Sequence, residues 1–193
     1  MKFIPILSIT VALVIAGPSY GAPELTPHTA EYEVKMSVIS GVLSKELRKT
    51  PNGYIAHHIV KPSGLSRMIT QGTMDLTSEF QNGVDGIKPI RFQAIDTIRD
   101  NPDVDLTFDW STNLVQGTVG EKSVELQLSG IAHDSVSIQY ELMHDLLTGD
   151  ANGQYILFDL DQLKVANISS TGKKLLKTRA GEFTAVGIRH QKE

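Results

Sequence analysis

From residue 28 to residue 38 apolar side chains return at every second position, with Tyr32, Val34, Met36 and Val38 on one side of an extended chain. That is the period of a half-buried strand. Shorter runs at 54–60, 90–98, 104–110, 124–128, 155–160 and 183–188 have similar patterns. Between the runs stand Pro51-Asn52-Gly53, Asn82-Gly83 with Asp85-Gly86, Asn101-Pro102-Asp103, Val119-Gly120-Glu121, Asn152-Gly153 and Thr171-Gly172. Residues that accept turn geometry, recurring at roughly 8 to 12 residues, predict the hairpins of an all-β sandwich or barrel. No repeat of fixed period, low-complexity segment or linker divides the chain.

One segment follows another period. After Asp134 or Ser135 as a side-chain cap, Val136, Tyr140, Met143, Leu146 and Leu147 recur at three-to-four spacing, while Gln139, Glu141, His144 and Asp145 fall largely elsewhere and Gly149 supplies a stop. This predicts an amphipathic helix over about 134–148. A lone helix in a β-rich chain has to bury its apolar stripe against the sheet. The expected fold is therefore mainly β, an antiparallel β-barrel or half-barrel with this helix packed on or in it.

The start of the chain sets the expected compartment. Lys2, an apolar run at 3–16 too short to span a bilayer comfortably, and the small or helix-breaking residues Gly17-Pro18-Ser19-Tyr20-Gly21 read as a secretory signal peptide at 1–21, cleaved before Ala22. A single β-rich domain at 22–193 is expected to follow. Removing 21 of 193 residues leaves 172, with 17 basic and 22 acidic side chains, enough for one real core. That balance argues against nucleic acid and, local patches apart, against an anionic membrane. Zero cysteine excludes a thiol nucleophile, thiolate metal ligands and a lipid-modified cysteine. No apolar run after the signal is long enough for a transmembrane segment.

Candidate chemistry is sparse. His57 and His58 are neighbours in a strand, so their side chains point to opposite faces and do not readily chelate one metal. Asp103, Asp105 and Asp109 share a strand face that could hold a hard cation, but polar residues alternating with Val104, Leu106 and Phe108 are what a half-solvated strand requires. The loop from Thr148 to Gly153 has Asp150 and Asn152 at calcium-loop spacing, yet Thr148 takes the first position, Asp159 the twelfth, and a strand follows, so it is no EF-hand. His133-Asp134 beside Ser135 and Ser137 suggests a triad only superficially, since Asp134 serves better as a helix cap and no Gly-x-Ser-x-Gly elbow exists. Dinucleotide, P-loop and His-Glu-x-x-His signatures are missing. The reading assigns no catalytic residue, no metal and no cofactor. Lys173, Lys174, Lys177 and Arg179 form a basic cluster that could meet anionic headgroups and reads first as a solvated strand face.

The stretch Asp134-Ser135-Val136-Ser137-Ile138-Gln139-Tyr140-Glu141-Leu142 resembles the most distinctive part of an exported Gram-negative family known only as domain of unknown function 3108. In the same order come Ala30-Glu31-Tyr32-Glu33-Val34, Ser78-Glu79-Phe80, Pro89-Ile90-Arg91-Phe92, Phe108-Asp109-Trp110, Gly172 and Thr178-Arg179-Ala180-Gly181-Glu182-Phe183. The resemblance covers about 29–190 and implies a periplasmic β-rich protein with no established activity, akin in architecture to half-barrels that carry lipoproteins or lipids. It also implies further strands after His190, whereas this chain stops at Glu193, which would leave 183–188 as an exposed edge.

Together these readings point to a non-enzymatic periplasmic protein of the cell envelope that binds a lipid or other apolar ligand. Phe92, Phe108, Trp110, Tyr140 and Met143 are the candidate lining, with Arg91, Arg99 and Arg189 for a headgroup. Two alternatives remain: a module engaging another envelope protein through a sheet edge, and a cell-wall glycan hydrolase using Asp105 and Asp109.

Overall fold

Eight strands pair each with the next in one antiparallel sheet: β1 (His28–Met36), β2 (Ile39–Thr50), β3 (Gly53–Pro62), β4 (Met74–Gly83), β5 (Gly86–Asp96), β6 (Asn101–Asp109), β7 (Leu114–Val119) and β8 (Lys122–Gln127). This is a computed structural model, and it describes residues 23–36, 39–149 and 151–191. The expected signal peptide, Val38, Asp150 and the last two residues lie outside the described residues. The eight strands do not close, since β1 and β8 are the two edges. Of the barrel and half-barrel expected, the pairing supports the open form.

A second sheet of four strands has the order β12-β11-β10-β9, from β9 (Ala132–His133), β10 (Gly153–Asp159), β11 (Gln162–Thr178) and β12 (Gly181–Gln191). The helix α1 (Ser137–Thr148) links β9 to β10, which run parallel. A parallel pair cannot be joined by a tight hairpin and requires such a crossover. The helix packs against β5 and β4 of the large sheet and, through Ile138 and Leu142, against Tyr155, Leu157, Ala166 and Ile168 of the second. It is wedged between the two sheets, as expected in kind, and buries two faces instead of one.

The main core fills one face of the large sheet. Leu47, Ala56, Ile87, Phe92, Leu106 and Val115 meet Val136 just before α1, Tyr140 of α1 and Phe158 of β10. Phe80, fully buried, stacks on Tyr54 at 5.9 Å and on Tyr140 at 5.1 Å. Offset aromatic pairs add to the gain from burial alone, so this trio ties the helix to β3 and β4.

Two expected turns lie elsewhere. Asn101-Pro102-Asp103 opens β6, and the reversal falls at 97–100. There Asp96 accepts hydrogen bonds from the amides of Ile98 and Arg99 and from the Asn101 side chain, while Asp100 takes the left-handed conformation at φ 56°. An aspartate that bonds its own backbone two residues on is a turn device in itself. Thr171-Gly172 is a bulge within β11, where pairing to β12 shifts between Ser170 and Gly172. The unforeseen strand β2 has neighbours on both sides, and these complete its ladder although Leu47 is its one fully enclosed apolar side chain.

Candidate functional site

The chemistry of this molecule concentrates where α1 meets the sheets. Asp134, just before the helix, is fully buried. Its Oδ1 accepts the amides of Val136 at 2.8 Å and Ser137 at 2.9 Å. Its Oδ2 accepts the hydroxyls of Ser137 at 2.8 Å and Ser78 at 2.7 Å. The Asp134 amide donates back to the Ser137 hydroxyl. This is a reciprocal capping box, and the bond to Ser78 fastens it to β4. The cap expected at Asp134 or Ser135 is thus Asp134. Burial pushes its carboxyl above the usual range, while the four donors hold it down. All four point along the protein framework, so the group anchors and does not catalyse. Ser137 bonds the carboxylate directly, which is not the hydroxyl-to-imidazole geometry of an activated nucleophile.

The helix is rotated from its expected setting. Its buried positions include Ser137, Tyr140, Glu141 and His144, whereas Met143 is 40% and Leu147 63% exposed. The cause is a specific partner for Glu141, whose Oε2 accepts the Ile87 amide at 2.5 Å. Gly86 makes the space: a Cβ there would stand 2.5 Å from the Glu141 carboxylate, and its φ of 109° suits glycine. Burial raises the Glu141 carboxyl, and the bond from Ile87 opposes this. A sequence stripe scored on hydrophobicity misses such a face, because half of it is polar.

Histidines complete the seam. His58 is buried with Nε2 3.3 Å from the Tyr140 hydroxyl, while His57 on the other face meets Asp75 at 2.7 Å, the opposition expected of neighbours in a strand. Burial lowers His58 to about 4, helped by the positive charge of Lys45. Burial also raises the Tyr140 phenol to about 12. His133 on β9 is lowered to about 4 by burial, with Asp145 pulling the other way. Its Nδ1 and both ring nitrogens of His144 have no hydrogen-bond partner. Tyr155 of β10 donates to Asp145 at 2.5 Å, closing the C-terminal half of α1 against the second sheet.

Beside this helix the second sheet carries a hollow of about 700 Å³. It is lined by Leu157, Phe158, Val165 and Ala166 together with Ser135, Asp159, Lys164 and His190. The register pairs Leu157 with Lys164 and Ile168 with His190. Lys164 is bonded to Asp159. By contrast, a hollow of about 540 Å³ at the β2–β3 and β4–β5 turns is lined largely by polar residues such as Glu24, Lys49, Asn52 and Gln81.

Of the residues selected from sequence, Phe92, Phe108, Trp110 and Tyr140 meet in the main core. Phe108 and Trp110 share a face, their rings parallel within 13° at 6.1 Å, and the indole N–H donates to the Pro89 carbonyl at 2.6 Å. Met143 stands apart on the exposed side of α1. Leu157, Val165 and Ala166, which line the hollow, had no distinguishing signal, because β10 and β11 carry apolar residues on both faces. Arg91 grips Asp105 with two hydrogen bonds of 3.0 and 2.8 Å. Arg99 lies 3.9 Å from Asp96 and Arg189 of β12 pairs with Ser169 of β11, so the three arginines serve separate places. Arg91 holds Asp105 below the usual carboxylate range, and bonds from Ser111 and Thr112 bring Asp109 to about 2. A glycan hydrolase needs one carboxyl kept protonated, and both shifts run the opposite way. Among the described residues no three histidine, aspartate or glutamate side chains gather as a metal site, and no helix is long and apolar enough to cross a membrane.

No curated protein and no solved structure matches the chain. The model of the family described as Protein of unknown function (DUF3108) matches residues 31–193, and the chain belongs to that family.

Proposed function

We propose that the protein is a non-enzymatic binding protein of the periplasm, exported by its N-terminal signal, and that it holds an acyl chain or similar apolar ligand in the hollow that the second sheet forms with Ser135. The observation that carries this reading is the hollow itself. Its volume lies within the range of small-molecule sites, and its four apolar side chains form an apolar floor beside four polar ones that could orient a ligand. The buried bonds of Asp134 to Val136 and Ser137 fix the turn that carries Ser135, so that part of the rim is set before any ligand arrives, which reduces the ordering cost of binding.

Titration with a fluorescent long-chain fatty acid tests this. Leu157→Glu places a charge in the lining and is expected to weaken binding about tenfold or more, and Ser135→Trp, at an exposed position of the rim, is expected to do the same by filling space. Equal affinity for the wild type and both variants, or no binding to any of them, contradicts the reading. One observation favours a second reading, engagement of an envelope protein through a sheet edge: β12 is the outermost strand of its sheet, and an unpaired edge is a template for strand addition. That reading predicts a stable protein complex and no uptake of the probe.

A further inference from the structure

The outer ends of β11 and β12 form an exposed two-stranded ribbon whose tip meets the large sheet through Arg179 and Glu33. At its neck Gly172, φ 93°, faces Gly187 across the bulge in β11. A Cβ on Gly187 would stand 2.2 Å from the Thr171 hydroxyl. Paired glycines at a bulge re-aim a ribbon and leave little side-chain mass at the bend. Beyond the neck, residues 173–184 are all exposed. Two strands without a third strand or a packed face are marginal in water, so the ribbon is suited to a partner.

Its side chains indicate which one. Residues 171–184 carry Lys173, Lys174, Lys177 and Arg179 against Glu182 alone, in a chain whose net charge is −4. The register sets Leu176, 43% exposed, directly across from Phe183, 52% exposed, with Lys174 two residues away on the same face. The opposite face carries Leu175 between Lys173 and Lys177. Arg179 at the tip reaches Glu33 at 3.1 Å, and Lys177 pairs with Glu182 at 2.9 Å. Lys173 and Lys174 have no ion pair among the described residues. A flat protein surface covers one face of a ribbon, whereas both faces here combine an exposed apolar side chain with lysine. An isologous contact between two ribbons would set positive charge against positive charge. The headgroup layer of a membrane surrounds an inserted tip, takes its apolar side chains and lets the lysines extend toward phosphate.

From this we infer that the β11–β12 ribbon docks the protein on an anionic phospholipid bilayer, inserting Leu175, Leu176 and Phe183 at the interface. This does not depend on the ligand reading of the hollow. The test is co-sedimentation of the protein, in the form its cells accumulate, with vesicles of phosphatidylcholine alone or mixed with phosphatidylglycerol. Partition onto the mixed vesicles is expected to be about tenfold or more higher, and to fall with added salt. Leu176→Asp with Phe183→Asp, and separately Lys173→Glu with Lys174→Glu, are each expected to remove most of that binding while the melting temperature stays unchanged, because all four positions are exposed. Equal partition onto both vesicle types, or full binding by both variants, overturns the inference. So does lipid-free dimerisation that the same substitutions abolish, which would assign the ribbon to a second copy of the chain.

Discussion

Asp134→Ala is expected to destabilise the protein by about 3–5 kcal/mol, the range for removing one member of a buried charged network. Alanine leaves the Ser78 hydroxyl and the Val136 and Ser137 amides without their acceptor in a site closed to water. A domain of this size holds about 5–15 kcal/mol in total, so the loss is a large share, seen as a fall of about 6–20 °C in melting temperature. Asp134→Asn keeps one acceptor oxygen and is expected to cost less than half as much. Thermal melts of the two variants beside the exposed control Asp161→Ala check this. A cost for Asp134→Ala no greater than the control would mean that the capping box does not hold α1.

Acid is expected to act through the histidines. In the folded state His133 and His58 sit at about 4 because they are buried, while in the unfolded chain they titrate near 6.5. Folded values below unfolded ones give stability that is fully present above pH 6.5 and is lost as the pH falls toward 4. Asp134 and Glu141, raised by burial, contribute with the opposite sign, because their share is lost as the pH rises. The wild-type profile therefore mixes both, and a difference between two proteins isolates one group. His133→Phe removes the titration at a buried site. Relative to this variant, the wild type is expected to lose up to about 1.4 kcal/mol per pH unit between pH 6.5 and 4, a total of about 3 kcal/mol. Urea unfolding at several pH values reads this directly, and parallel curves for the two proteins would contradict it.

The legible part of this fold was the part written as repetition. Alternation exposed β1, β3 and β6, and the turns at 51–53 and 82–86 marked the β2–β3 and β4–β5 hairpins, because both signals are local. The strand β2 was not legible, since its pairing comes from β1 and β3 and not from its own pattern. In β4 the inward face of Met74, Leu76, Ser78 and Phe80 alternates, but Ser78 breaks the apolar series at the point where it bonds Asp134. The helix showed its extent and its stop at Gly149, while its rotation did not, because Glu141 turns inward toward an amide 54 residues earlier. The aromatic set of Phe92, Phe108, Trp110 and Tyr140 was visible as residue types at alternating or helical spacing. The hollow was not, because it forms where Ser135, β10, β11 and His190 of β12 come together and no single one of them announces it.

Native mass spectrometry of the protein purified from the cells that make it tests the binding account most directly. The account predicts a wild-type ion carrying the added mass of an apolar molecule, released on activation in the gas phase, and a bare ion for Ser135→Trp folded to the same melting temperature. A bare wild-type ion, or the same added mass on both proteins, would contradict it.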